Sequence, residues 1–493
     1  MSFVGTNKFS SPRCIEFCLI IIALTAFFLI NLITSAQFPV PWQDEVMFTD
    51  PAANFYFGAG FTSSAWICGA HSMTKFWACN SPLYPFLLKN WMQLFGFSIA
   101  SVRSLNYLLI TIVSLLVWLT VVRLDLIRTV QLRITCLIIV LSGYGVSLIY
   151  RSGRYDCLAL FLLAATIFFY TVPLGWLRYS LIVFIGILFP LAGLQLLIYS
   201  CILSGLLIYF FKKKFIKEII SLGIGLSLGV AFLFVLYASN GVLQDFLTSV
   251  RGLSSSPLLH KVVERPLPER LPKDPSILMT IIAAISILIY QIKIGTFSLK
   301  SLLSFTFISS LVIPGVMFCL GQFPTYYSWM IYIPLSVAIC STIESIRLNT
   351  NRLIHFVVVV SLIFSCLIGL PLQLASAVYY WEDRDSSVVD SLISRNVNSE
   401  DWVYASYNAY FSIKKRTLNV FIPFQNPPLE YRKKISVLII EPELEDFVTD
   451  IVGGVWKATD DMITPKKGDL VKAKFAILLQ RTNHLRVYRK IID

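Results

Sequence analysis

Eleven runs of apolar residues set the limits on what this chain can fold into. They lie near 15–36, 99–122, 134–150, 157–175, 179–192, 194–211, 219–238, 276–292, 301–320, 328–346 and 353–375. About 20 helical residues cross the roughly 30 Å of hydrocarbon in a bilayer. Lipid offers no partner to an unpaired backbone amide, so such runs are expected to be helical spans. Composition agrees: 56% of the 493 residues are hydrophobic and 14% are charged, against about a quarter charged in soluble proteins. The run from Ile15 to Ala36 is too long for a signal-peptide core and has no clear small-residue cleavage site, so it is expected to stay as the first span.

The net charge of +13 is spread through short links between apolar runs. That distribution argues against a nucleic-acid partner, which would need a gathered basic face. It follows the positive-inside rule instead. With the N-terminus in the cytoplasm, Lys8 and Arg13, then Arg123, Arg128 and Arg133, then Lys212, Lys213, Lys214 and Lys217, and finally Arg347 and Arg352 all fall on the cytoplasmic side. Three longer segments then lie outside: 37–98, 239–275 and the tail from 376. The expected fold class is an all-α polytopic membrane protein of about eleven transmembrane helices, residues 1–375, with a small extracytoplasmic α/β domain at 376–493. The strand-like runs Val437 to Ile440 and Phe475 to Leu479 mark that domain. Cysteines such as Cys18, Cys136, Cys201, Cys340 and Cys366 sit in apolar runs and behave as small hydrophobes. Cys68 and Cys79 share the first outside loop, where they form either a disulfide or two free thiols.

That loop opens with Pro39-Val40-Pro41-Trp42-Gln43-Asp44-Glu45, followed by Asp50-Pro51 and Asn54. Two adjacent carboxylates at the membrane edge stand where a lipid head group and an aqueous acceptor can meet, and one of them can act as a general base. The plainer reading is a helix start, where acidic residues are favoured. His71 and Lys75 come next. The stretch from Asn80 to Lys89 suggests either an amphipathic interfacial helix anchored by Trp77, Trp91 and Phe95, or a packed re-entrant loop.

Several short motifs carry a family resemblance. Asp44-Glu45 after the first span, Ser81-Pro82-Leu83-Tyr84-Pro85, Leu94-Phe95-Gly96, and Arg103 with Asn106 resemble the opening of the GT-C glycosyltransferases. The nearest group is the protein O-mannosyltransferase and aminoarabinose-transferase superfamily. Arg151-Ser152-Gly153-Arg154-Tyr155-Asp156 resembles its second outside loop, and Tyr326-Tyr327 through Pro334 its aromatic lead into a late span. The resemblance implies a GT-C fold and transfer of a sugar from a polyprenyl-phosphate donor to an extracytoplasmic acceptor, whether glycan, lipid or protein. It also implies a first-loop carboxylate as base, Asp44 ahead of Glu45, and an inverting reaction.

Ionisable groups at the depth of Arg151, Arg154 and Asp156 are costly unless paired or functional. Arg154 is expected to meet the donor phosphate, because guanidinium matches phosphate oxygens two at a time; an Arg154–Asp156 pair that merely holds the loop is the alternative. The second long loop carries Arg251, His260, Lys261, Arg265, Arg270 and Lys273. They are expected either to stabilise the departing phosphate or to bind anionic lipid. Tyr326, Tyr327 and Trp329 line a substrate groove or form an aromatic belt. Four histidines, none at ligand spacing, give no zinc site. No cofactor is required, although a divalent cation between carboxylates and phosphate fits the chemistry. A transporter or lipid flippase, or a non-catalytic GT-C-like subunit, remains an alternative reading. The expected location is a bacterial plasma membrane, with membrane lipids as neighbours.

Overall fold

The structure, a computed structural model, describes residues 11–69, 71–254, 274–295, 305–319, 327–346, 352–423, 426–463 and 484–491. Every one of the eleven apolar runs contains helix. In chain order the helices are α1 (Ser11–Ile33), α2 (Gln43–Tyr56), α3 (Leu83–Phe95), α4 (Ile99–Arg123), α5 (Val130–Ser142), α6 (Tyr144–Tyr150), α7 (Asp156–Thr171) and α8 (Trp176–Ala192). They continue with α9 (Gln195–Phe211), α10 (Ile216–Ser239), α11 (Leu243–Ser254), α12 (Pro275–Lys293), α13 (Phe305–Cys319), α14 (Trp329–Ile346), α15 (Arg352–Leu367) and α16 (Leu370–Tyr379).

Among the described residues, four helical segments are long and apolar enough to cross a membrane alone: Cys14–Ile33, Ile99–Arg123, Gln195–Ser239 and Pro275–Lys293. Two bent pairs qualify together, α5 with α6 at 64° and α15 with α16 at 41°. Asp156–Thr171, Trp176–Ala192 and Trp329–Glu344 are shorter apolar helices. Close packing follows the membrane pattern of small residues. Gly225 and Gly229 of α10, four apart, lie against the backbone of α8 at Val183, Gly186 and Ile187, where a Cβ on Gly225 or Gly229 would stand 2.3 Å from a carbonyl oxygen.

Side-chain bonds tie the helices together by their ends. Glu16, at the start of α1, accepts from Arg133 Nε at 2.7 Å and Trp118 Nε1 at 2.8 Å. Arg123 donates to the Thr171 carbonyl at 3.1 Å, and Glu344 accepts from the backbone amides of Arg128 and Thr129. The starts of α1 and α5 and the ends of α4, α7 and α14 therefore gather at one end. At the other end of α4, Arg103 reaches the carbonyl of Ser35 just beyond α1. With 25 residues, α4 separates the two ends by about 37 Å, at roughly 1.5 Å per residue. This is the separation that the charge pattern of the loops requires.

The first long loop is compact. Cys68 and Cys79 are disulfide-bonded, with their Cα atoms 5.2 Å apart. The polar stretch after Asn80 does turn helical as α3, with Phe95 exposed and Trp91 half-buried. Trp77, expected as an interfacial anchor, is instead fully buried between Phe61 and Trp66, at 5.7 and 5.3 Å. The disulfide closes the loop around that indole, so its surface goes to the loop's own core.

The tail adds α17 (Ser386–Asn396), β1 (Trp402–Ala405), α18 (Tyr410–Lys414), β2 (Val420–Phe421), α19 (Leu429–Arg432), β3 (Ile435–Ile440), α20 (Glu445–Val452), β4 (Trp456–Ile463) and β5 (Leu485–Lys490). The sheet order is β2-β1-β3-β5-β4. The first three of those strands are parallel, whereas β5 runs antiparallel to β3 and β4. The expected strand at Val437 to Ile440 is β3; that at Phe475 to Leu479 lies outside the described residues. Side chains alternate across the sheet as period two requires. Val403, Ala405, Val437, Ile439 and Val487 join the apolar core that continues into the helices. Tyr404, Leu438, Ile440 and Tyr488 face the other way, under Val448 and Val452 of α20. The boundary expected at residue 375 falls inside α16.

The end-to-end separation predicts sidedness. A cysteine at the exposed position of Glu400 should react with a membrane-impermeant maleimide on intact cells, and one at the exposed position of Arg128 only after permeabilisation. Equal labelling of both before permeabilisation contradicts this arrangement.

Candidate active site

The extended backbone of Trp42 leads into α2, whose first turn carries Asp44 and Glu45. Acidic side chains favour this end of a helix. Two further elements converge on that turn: the start of α4, with Arg103 and Asn106, and the link 151–156 between α6 and α7. Asn106 Nδ2 holds the link by donating to the carbonyls of Ser152 and Arg154 at 2.5 and 2.8 Å. Gly153 lets the link come close. A Cβ there would stand 2.5 Å from Val102 Cγ1 and 3.1 Å from Thr49 Oγ1.

Two guanidinium groups, of Arg103 and Arg154, thus meet the three carboxylates of Asp44, Glu45 and Asp156. All but Asp44 are almost wholly buried. Burial of charge is tolerable only with near-complete pairing. Arg103 grips Glu45 with two bonds, Nε to Oε1 at 2.7 Å and Nη2 to Oε2 at 2.6 Å, while Gly153 N adds a third at 2.9 Å. Glu45, the second-choice base, therefore has both oxygens engaged and no exposed surface. Arg154 lies between two carboxylates. Its Nε donates to Asp156 at 2.8 Å, and its Nη1 contacts Asp44. The rings of Trp42, Phe48 and Tyr155 surround it at 5.4 to 5.9 Å.

Arg154, expected to meet either the donor phosphate or Asp156, is 2% exposed and pairs with the carboxylates of Asp156 and Asp44. Asp44 keeps 21% of its side chain exposed. Only its Oδ2 is engaged by Arg154. Arg151 is also enclosed, donating to Asn31 Oδ1 at 2.6 Å, Thr34 Oγ1 at 3.0 Å and the carbonyls of Thr34 and Phe38. Tyr327 is joined to the back of the cluster through its hydroxyl, 3.0 Å from that of Tyr155. His71 instead pairs with Asp245 of α11 at 3.0 Å, and Lys75 is exposed; neither bonds to the acidic cluster. Arg265, Arg270 and Tyr326 lie outside the described residues. No group of three or more His, Cys, Asp or Glu side chains suited to a metal occurs among the described residues.

A second buried cluster, which the sequence did not announce, fastens α2 to the tail. Asp50 accepts from Ser63 Oγ and the amides of Ser64 and Ala65 at 2.7 to 3.1 Å. Its other oxygen takes the Tyr410 hydroxyl and the Lys414 ammonium, each at 2.7 Å. Burial alone would raise the Asp50 carboxyl, but the Lys414 charge and these hydrogen bonds hold it below the ordinary carboxylate range. Burial pushes the Lys414 ammonium down despite Asp50. Lys414 stands beside Lys415 in a charged tail, and no local pattern distinguishes the buried lysine from its exposed neighbour.

No family model matches this sequence, and no curated protein matches it. Among solved structures, the chain is similar to ArnT from Cupriavidus metallidurans, both bound to undecaprenyl phosphate and in the apo state. Each comparison has a TM-score of 0.48 and 10% identity, over 96% of this chain and 98% of that one. It is also similar to the apo Archaeoglobus fulgidus oligosaccharyltransferase, with a TM-score of 0.45 and 11% identity, over 86% of this chain and 70% of that one.

Two predictions follow from the paired charges. Lys414→Met, which leaves Asp50 buried and unpaired, should cost about 3–5 kcal/mol, read as a fall in unfolding temperature in detergent. Adding Asp50→Asn should restore part of it; a double variant no more stable than the single one contradicts the pairing. The Asp50 carboxyl is depressed in the folded state, so its stabilisation is complete above its unfolded value of about 4 and is lost as pH falls through the folded value. The wild-type unfolding temperature should therefore drop on acidification below about pH 4, and Asp50→Asn should make that drop shallower.

Proposed function

We propose that this chain is an extracytoplasmic membrane glycosyltransferase that takes a sugar from a polyprenyl-phosphate donor. The observation that carries the proposal is the asymmetry among the three clustered carboxylates: Asp44 alone keeps surface exposure, while Glu45 and Asp156 are sealed in by arginines. A general base must reach the proton it removes. It must also be held in position while the reacting groups meet. Arg154 fixes one oxygen of Asp44, and Asp156 and three aromatic rings fix Arg154.

In the proposed reaction, the free Asp44 oxygen accepts the proton of an acceptor hydroxyl as that oxygen attacks the anomeric carbon. The bond from anomeric carbon to phosphate oxygen breaks from the opposite face. The configuration inverts, and the polyprenyl phosphate leaves with the bonding electron pair. Arg154 is already committed to carboxylates, so the phosphate is assigned to the basic residues of the second long loop, Arg265 and Arg270. The family resemblance of Asp44-Glu45 and of 151–156 supports the same reading, and the acceptor hydroxyl belongs to a glycan, lipid or protein.

The test is Asp44→Asn in the purified protein, assayed by release of labelled sugar from a polyprenyl-phosphate donor. Loss of a general base should lower transfer by about 10²- to 10⁴-fold, with the unfolding temperature little changed because Asp44 is partly exposed. Transfer at the wild-type rate removes Asp44 as the base.

A further inference from the structure

The end of the bundle opposite Asp44 carries its own concentration of charge. Helix α9 passes into α10 through a short 3-10 turn, Lys212–Phe215. Lys217 follows on the first turn of α10, so four lysines fall within six residues. Phe215 stacks on Tyr170 of α7 with ring centres 6.0 Å apart, and Arg178 of α8 meets Glu218 of α10 at 2.7 Å. The turn therefore lies beside the end of α7, where Arg123 holds the Thr171 carbonyl.

Other cations at this end find partners within the chain. Arg133 pairs with Glu16, Arg128 with Asp125 and Arg178 with Glu218. The four lysines are exposed, and Lys212, Lys213 and Lys217 make no ion pair among the described residues. The acidic residue next to them, Glu218, is 4% exposed and already taken by Arg178. Topology asks only that cations stand on this side of the membrane. It does not require that these stay unpaired while their neighbours are matched.

The surroundings say what can match them. Trp176 is 78% exposed and Tyr209 74%, and Leu177, Phe211, Ile216 and Ile220 are exposed beside them. On a membrane protein such a belt faces lipid, with indole and phenol rings at the depth of the head groups. Lysines adjoining that belt stand at the depth of lipid phosphates. Each ammonium is a compact point charge, suited to a mobile layer of phosphates more than to two-pronged capture of one buried anion. Clustered lysines at the end of a membrane helix attract anionic lipid in this way. A nucleic acid would need a basic face clear of the bilayer.

We propose that the α9–α10 turn is a docking site for the head groups of anionic glycerophospholipids, which supply the counter-charge that the fold leaves out. The site is independent of the catalytic reading of Asp44.

The test offers the purified full chain in detergent an equimolar mixture of phosphatidylglycerol and phosphatidylcholine and counts bound lipids by native mass spectrometry. The wild type should retain phosphatidylglycerol in preference. Changing Lys212, Lys213 and Lys217 together to Gln should weaken phosphatidylglycerol binding by about 100-fold, whereas changing the same three to Arg should preserve it. If the triple Gln variant does not fold, Lys212→Gln with Lys213→Gln replaces it, with an expected loss of about ten-fold. Equal binding of the two lipids by the wild type overturns the proposal. So does a folded Gln variant that keeps the wild-type preference, or an Arg variant that loses as much as the Gln variant.

Discussion

The two-pronged grip of Arg103 on Glu45 is the interaction on which the rest of the site depends. It locks the first turn of α2 to the first turns of α4. With Gly153 N as third donor, it also draws in the link between α6 and α7. Both groups are fully buried at the edge of an apolar helical bundle. Removing one partner would leave the other as an uncompensated charge, among the costliest defects a fold can carry. The neighbouring Asp44–Arg154–Asp156 array has the same logic but is left open at one end, where Asp44 meets the surface. Enclosed pairs thus supply rigidity, and the half-enclosed one is the seat of the proposed chemistry.

The tail belongs to this construction. One face of its mixed sheet continues the core of the helices, and Lys414 and Tyr410 reach Asp50, six residues beyond Asp44 on the same helix. Helix α2 is therefore held at its start by membrane helices and further along by the tail. Its last turn, at Asn54, borders a pocket between the first loop and the tail.

Much of this was legible in the sequence. The apolar runs matched helices closely because lipid-crossing length and hydrophobicity are strong local signals: α4 was expected at 99–122 and spans Ile99–Arg123. The 134–150 and 353–375 runs were each expected to be one span, and both are bent pairs, broken near Gly143 and Gly369. Asp44 and Glu45 were singled out because adjacent carboxylates at the membrane edge can act as a base, and Arg151, Arg154 and Asp156 because ionisable groups at membrane depth need a reason; the structure pairs Arg154 with both Asp44 and Asp156. Their division of labour was not legible, because whether a carboxylate is enclosed depends on which distant element packs over it. The same holds for Lys414 against Asp50, 364 residues apart in sequence, and for Trp77, taken for a lipid anchor until the closed loop claimed it.

The most direct test of the central claim is an experimental structure of the full chain with a polyprenyl-phosphate sugar bound. The account predicts the anomeric carbon at the start of α2, beside the exposed oxygen of Asp44, with the phosphate turned away from it. A donor seated near the middle of the bundle, or at the opposite end beside Glu16 and Arg133, would contradict the account and favour transport over transfer.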